Sequence, residues 1–396
     1  MKRTILAAFV VLFMAAGTCW AQDKCAGCGI DVSGYLAPNL RMIDQGEDTN
    51  SNLGFGMAFN RVTFSGMQEV GPVVKKIGWK VEADFRHPSE YEMVYAYVQA
   101  YFNEMFSARF GHVKEQFSRE WLHPTYDLLT VDRLVTPFKV RDEDGERVDL
   151  DFASYSFGLE LVLKQEKFGL TAGAYDGQGE VNGVVGQDPV LDYGLRAIVM
   201  PTPELQIGAA VQMKALPGLW NGFFWDYAPD DGSAYPDDPD LYQTNSGLAY
   251  EIDADFTKAF NEKMSLRAQA EFGMGDNGYE GPDDADVDDE WEDYSWFKFQ
   301  YFYVKALLMI NKNFGIHGGF ASFDPNTNDG DEDDGYVGVN DSVTKLTPGI
   351  TYRWSDFTRT QVEVQMITEQ NGVDGQGKEL DDFEYTHFVL QQVLVW

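Results

Sequence analysis

The chain has 396 residues and carries 64 acids against 30 bases, a formal net charge of -34. Such a balance excludes a nucleic-acid binder, which needs a basic surface. After residue 21 no apolar run approaches the 18 residues of a membrane helix, although 44% of the chain is hydrophobic and 28 Phe, 20 Tyr and 9 Trp are present. A large soluble all-β protein and a closed transmembrane barrel remain.

Met1-Lys2-Arg3 is a charged start, and Ile5 to Ala16 is an apolar run too short to span a bilayer. With small residues before Ala21 this reads as a secretory signal peptide, residues 1–21. Residues 22–29 form a short segment that holds Cys25 and Cys28. Too few cysteines survive cleavage for a four-thiolate metal site, and no His follows Cys28 to mark haem attachment. In an oxidising compartment the pair is expected as a local disulfide, with redox chemistry or partner contact as the alternative.

From residue 30 to 396 the chain alternates. Trp79, Val81, Ala83 and Phe85 interleave with Lys80, Glu82, Asp84 and Arg86. Leu205, Ile207, Ala209, Val211 and Met213 interleave with Gln206, Gly208, Ala210, Gln212 and Lys214. Period two means strand. One face is apolar; the other carries charge, amide and glycine, too polar to pack. The polar face is therefore expected to meet water and the apolar face lipid, in an antiparallel transmembrane β-barrel of the outer membrane.

Sixteen strands are expected, near 30–43, 54–66, 77–86, 93–103, 106–117, 152–165, 167–176, 191–201, 204–216, 247–259, 263–275, 297–311, 313–323, 343–355, 358–369 and 384–396. The fourth and twelfth break clean alternation. Short turns, such as Thr202-Pro203 and Asp356-Phe357, are expected on the periplasmic side. Long acidic connections, near 118–151, 217–246, 276–296, 324–342 and 370–383, are expected outside.

The stretch Phe106 to Arg133 is central. Phe106, Ala108 and Phe110 share one face and Ser107, Arg109 and Gly111 the other. The strand then runs into basic and aromatic residues with no return turn. A loop folding back into the barrel is expected, with Arg109, Lys114 and Arg133 lining or supporting the narrowest part. Lys114 and Glu115 as a neutral pair holding the loop to the wall is the competing reading. Parity also turns Arg196, Arg267 and Arg353 inward, along with Glu82, Glu160, Glu251, Glu271 and Glu363.

Ten acids crowd Asp276 to Asp293, and six aspartates lie between Asp226 and Asp240. Such a mouth concentrates cations. Asp283, Asp284, Asp286, Asp288, Asp324 and Asp329 are candidate oxygen ligands for a weakly held divalent cation such as Ca²⁺; no other cofactor is expected. The final strand places Phe388, Leu390 and Leu394 on one face and ends on Trp396, the form of a signal read by the outer-membrane assembly machinery. The five histidines are scattered with no nucleophile motif nearby, so no enzyme is expected.

The run Arg61-Val-Thr-Phe-Ser-Gly66, Trp79 to Phe85, Ala96-Tyr-Val98, Arg109 to Phe117 and Asp127 to Arg133 resembles the phosphate-selective porin O and P family. Gly111-His-Val-Lys-Glu-Gln-Phe117 matches that family's Gly-x-Phe-Lys-Glu-Pro-Phe signature, with Val113 and Gln116 as departures. The resemblance covers most of the first 200 residues and the rest by architecture only. It implies a sixteen-stranded, homotrimeric outer-membrane porin of a Gram-negative bacterium, with a constricting third loop, passing small hydrophilic solutes or ions. A barrel sheathing a multihaem cytochrome and a surface structural or adhesive barrel are the alternatives.

Overall fold

A computed structural model describes residues 30–44, 52–87, 90–134, 139–141, 147–149, 152, 154–176, 191–214, 247–276, 298–324, 342–369 and 383–396. The barrel strands are β1 (Ile30–Asp44), β2 (Asn52–Glu69), β3 (Lys76–His87), β4 (Glu90–Tyr101), β5 (Phe106–Lys114), β6 (Tyr155–Lys164), β7 (Phe168–Asp176) and β8 (Leu191–Thr202). They continue with β9 (Leu205–Lys214), β10 (Gly247–Ala259), β11 (Ser265–Asp276), β12 (Lys298–Met309), β13 (Phe314–Asp324), β14 in two pieces (Val343–Leu346 and Gly349–Ser355), β15 (Thr358–Glu369) and β16 (Phe383–Val395). Each pairs antiparallel with its sequence neighbours, and β1 pairs with β16 to close the ring. Closure leaves no open edge, so every wall strand finds its backbone partners within the wall, as a bilayer requires.

The break in β14 has a chemical cause. Pro348 has no N–H to give the ladder. The neighbouring backbone keeps the sheet intact: Thr347 donates to Gly319 O at 2.8 Å and Val364 donates to Pro348 O at 3.0 Å.

The expected alternation holds on the outside. Leu159, Leu161, Leu195, Ile252, Phe272, Val304, Ile350 and Leu390 are all exposed. Rings gather towards the short-turn end, where Trp354, Phe357 and Phe260 are exposed and Phe102 stacks on Phe106. Polar groups there are satisfied within the wall. Trp354 Nε1 donates to Thr360 Oγ1 at 2.8 Å, and Thr360 donates to Gln392 Oε1 at 2.5 Å.

Two expectations need correction. The fifth strand stops at Lys114 and the sixth starts at Tyr155, so residues 115–117 and 152–154 belong to the connection. Gly111 bends the strand before that end. Its φ is +134°, and an added Cβ would meet Ala96 O at 2.2 Å. The kink ends pairing with β4 one residue later, at His112.

The inner face is also not uniformly wet. Phe299, Tyr301 and Tyr303 of β12 point inward and pack with Phe117, Leu134 and Phe152 of the connection and with Phe323 of β13. This is why the twelfth strand breaks alternation: both of its faces are covered by apolar matter, lipid outside and loop inside.

Candidate functional site

The connection between β5 and β6 enters the barrel and is tied to the wall. It carries a helical turn, α1 (Arg119–Leu122), a 3-10 turn (Thr125–Asp127) and a two-stranded ribbon, Lys139–Arg141 with Arg147–Asp149.

The first tie lies where the chain leaves β5. Glu115, fully buried, accepts from Ser154 Oγ at 2.9 Å, Gln212 Nε2 at 2.6 Å and Ser156 Oγ, and its carboxylate lies 2.8 Å from Lys214 Nζ. Lys114 turns another way. Its Nζ donates to Trp121 O at 2.5 Å and sits 4.9 Å from the Trp121 ring centre. The two neighbours thus serve different parts of the loop rather than each other.

The second tie is the start of α1. Ser118, in left-handed backbone (φ 59°), donates its N–H to Glu251 Oε2 at 2.5 Å, and Arg119 N–H donates to Glu251 Oε1 at 3.1 Å. Glu120 N–H donates to Glu271 Oε2 at 3.0 Å. Free amides at a helix start carry partial positive charge, and the wall meets them with carboxylates. Arg196 holds that wall from behind, donating to Glu251 at 2.9 Å and also to Asp253.

Further along, Arg267 donates to Asp127 at 2.9 Å, to Asp255 at 3.3 Å and to His123 Nε2. Burial and the adjacent Arg267 charge push the His123 pKa down to about 3, so its ring is the neutral acceptor. Val131 N–H donates to Glu363 Oε2 at 2.9 Å, Arg359 to Leu128 O at 3.0 Å and Lys345 to Arg133 O at 3.1 Å. Asp132 accepts from Arg41 of β1 at 2.7 Å and from Gln365 of β15 at 2.9 Å. Burial alone would raise the Asp132 pKa, but Arg41, Lys345 and Gln365 hold it below the usual carboxylate range. The loop therefore reaches from β9–β11 across to β14, β15 and β1.

Beside the loop, Arg109 donates to Glu160 at 2.8 Å and lies 4.8 Å over the Tyr97 ring; Lys80 pairs with Glu82 at 2.7 Å and lies 4.1 Å over Tyr95. In both pairs water reaches the base and not the acid. The Arg109 and Lys80 side chains are 23% and 26% exposed, those of Glu160 and Glu82 0% and 4%. Arg41, Arg86, Arg119 and Arg267 are likewise half-buried, while Glu251 and Asp253 are sealed. Glu82, Glu160, Glu251 and Asp253 are thus occupied in ion pairs and loop amides, whereas Glu92 and Asp127, the partners of Arg86 and Arg267, are 36% and 44% exposed, so the charge facing water is of both signs.

The structure brings Arg109, Lys114, Glu115, Arg133, Arg196 and Arg267 around this loop. Arg133 donates to Glu120 O at 3.3 Å and to Thr125 Oγ1 at 3.2 Å, with its guanidinium 4.8 Å from the Trp121 ring centre. Arg353 is placed apart: it pairs across the sheet with Arg359 at the short-turn end and is exposed. Trp396 joins β1, its N–H donating to Gly34 O at 2.9 Å. Cys25, Cys28, Asp283, Asp284, Asp286, Asp288 and Asp329 lie outside the described residues, as do residues 1–21, expected as a signal peptide; Asp324 closes β13. Among the described residues no three His, Cys, Asp or Glu side chains are grouped as a metal would require.

Arg41, Arg61, Glu120, His123, Lys305 and His317 were not singled out by sequence reasoning. Parity turns Arg61 and Lys305 inward, so those two carried a signal. Glu120 and His123 carried none, because an irregular loop has no period to read.

No protein-family model matches the sequence, and no curated sequence does. The fold, in contrast, is shared. The outer-membrane channel DcaP of Acinetobacter baumannii aligns over 94% of this chain and 99% of its own, with a TM-score of 0.61 at 14% identity. An anion-selective porin from Comamonas acidovorans aligns over 93% and 99%, with a TM-score of 0.56 at 11% identity. OmpT, an outer-membrane protein of Vibrio cholerae in its trimer form, aligns over 93% and 99%, with a TM-score of 0.53 at 12% identity. The chain has the porin fold.

Proposed function

We propose that this protein is an outer-membrane porin of a Gram-negative bacterium: a water-filled channel for passive diffusion of small hydrophilic solutes and ions, narrowed by its third long loop. One observation carries this. The loop from Glu115 to Leu134 is bound to wall strands on two sides, at Glu251 and Glu271 and again at Glu363 and Arg41, while Arg109 and Lys80 beside it are partly exposed. A loop so tied supports a narrowed lumen.

The motif order from Arg61 to Arg133 supports kinship with the phosphate-selective porin O and P family, and with it a homotrimer. The sheath of a cytochrome is the weaker reading, since the loop already occupies the space a partner would fill. Catalysis is weaker still. His317 does lie between Thr351 Oγ1 (2.9 Å) and Glu363 Oε2 (3.1 Å), but its side chain is fully buried and Glu363 is used to hold Val131.

Selectivity should come from two charge layers in series, an acidic mouth and a throat of mixed sign. The field of such mouth charges would extend about 10 Å at 0.1 M salt and shrink as salt rises. Reversal potentials across a salt gradient test this. A weak cation preference is expected at low ionic strength, fading as salt rises, and millimolar Ca²⁺ bound by the loop around Asp283–Asp288 should weaken it too. An anion preference strongest at low salt, or block by micromolar phosphate, would make the throat arginines dominant instead.

A further inference from the structure

Glu120 joins the barrel wall to the far end of the loop. Its N–H donates to Glu271 Oε2 at 3.0 Å and its carbonyl accepts from Arg133 Nε at 3.3 Å. Its carboxylate accepts the Leu134 N–H at 2.9 and 3.0 Å and Lys305 Nζ of β12 at 2.6 Å. Both the Glu120 and Lys305 side chains are 0% exposed. The segment from 120 to 134 is thereby closed into a ring, which Arg267 at Asp127, Glu363 at Val131 and Arg41 at Asp132 also hold to the wall. Within that ring lie the parts of the loop that reach open water: the Asp127 side chain is 44% exposed and Tyr126 is 37% exposed.

We propose that Glu120, latched to Lys305, is the positioning residue of the constriction: it sets how far Tyr126 and Asp127 project into the lumen. This rests on the porin reading above. The chemistry requires a carboxylate. Oε1 accepts from both Lys305 Nζ and the Leu134 N–H, and Oε2 accepts from the Leu134 N–H as well, in a fully buried site; glutamine keeps one oxygen, turns an NH₂ towards the Leu134 N–H and leaves the ammonium without a counter-charge. Lys305 balances the charge that would otherwise be buried alone. Aspartate at 120 keeps the charge and shortens the reach.

The test compares wild type with Glu120→Gln, Lys305→Met and the double variant in planar bilayers. Amide exchange of the peptide ending at Leu134 is followed in the same preparations. Each single variant buries an uncompensated charge and risks misfolding; the double variant does not, so it is decisive. The double variant should fold to the wild-type level, as judged by heat-modifiable gel migration. It should conduct more than wild type with a noisier open state. Its Leu134 amide should exchange about tenfold faster or more, as loss of a charge-assisted hydrogen bond dictates. Glu120→Asp should fall between the two.

A folded double variant with wild-type conductance and exchange would overturn the proposal. So would a double variant that fails to fold, since the pair would then serve assembly rather than pore shape. If wild type itself is silent, the porin reading has failed. Failure of the latch shows only as a lack of difference between variants of a conducting wild type.

Discussion

Glu115 and Lys214 meet at 2.8 Å with 0% and 6% of their side chains exposed, binding the root of the loop to β9 across the barrel interior. Lys214 also lies 2.9 Å from Asp192 of β8, so one ammonium serves two buried carboxylates. Removing one member of a buried ion pair costs about 3–5 kcal/mol, because the other charge stays behind. Lys214→Met should therefore lower the temperature of heat-modifiable unfolding strongly. Adding Glu115→Gln to it should restore part of the loss. A double variant as unstable as the sum of the two singles would show that the pair is not coupled.

Gly111 admits no side chain. At φ +134° an L-residue is strained by about 1–3 kcal/mol, and a Cβ 2.2 Å from Ala96 O adds a backbone clash that no rotamer relieves. Gly111→Ala should cut the yield of folded barrel, and the protein that folds should show altered conductance because the loop root shifts. Gly54→Ala is the control: its added Cβ meets nothing within 4 Å. Equal yields for the two variants would rule out the kink as the device that sends the chain inward.

His123 makes the loop acid-sensitive. Its folded pKa is depressed to about 3 by burial and by Arg267, with Arg119 and Lys305 adding to the effect and Asp127 opposing it. The unfolded value is about 6.5. Between these values the unfolded chain binds a proton that the folded chain does not. This group's contribution to stability is present above pH 6.5 and is lost as pH falls from there towards 3, by at most about 1.4 kcal/mol per pH unit. Denaturant unfolding at pH 4 and pH 7 should show a smaller gap for His123→Gln than for wild type. An unchanged gap would assign acid sensitivity to other groups.

Trp396 closes the barrel against β1. Its indole covers Gly34, where a Cβ would lie 2.5 Å from a ring carbon, and its carbonyl accepts the Gly34 N–H at 3.0 Å. Trp396→Asp should reduce outer-membrane insertion in cells. Refolding of purified protein into detergent separates the two roles of the ring. If the assembly machinery reads it, insertion in cells falls more than refolding does; equal losses would leave packing on Gly34 as the whole effect.

The barrel was legible because it is written locally. Alternation over about ten residues, cut by Thr202-Pro203 or Asp356-Phe357, needs no partner to be recognised, and two strands, 247–259 and 358–369, carry the bounds expected of them. The site was legible only in part. Parity turned Glu251, Glu271 and Glu363 inward, but nothing local says that they accept loop amides 133, 151 and 232 positions away. Those bonds are settled by the path of an irregular segment. For the same reason the aromatic inner face of β12 looked like a defect of pattern. It is the seat of Phe117, Leu134 and Phe152, and Lys305 within it waits for Glu120.

The most direct test of the whole account is the single-channel conductance of the purified wild-type protein in a planar bilayer. Stepwise, ohmic openings are predicted, smaller than those of the same barrel with residues 118–134 deleted. A correctly folded barrel that stays silent at all voltages, or one whose conductance is unchanged by the deletion, would contradict a diffusion channel narrowed by its third loop.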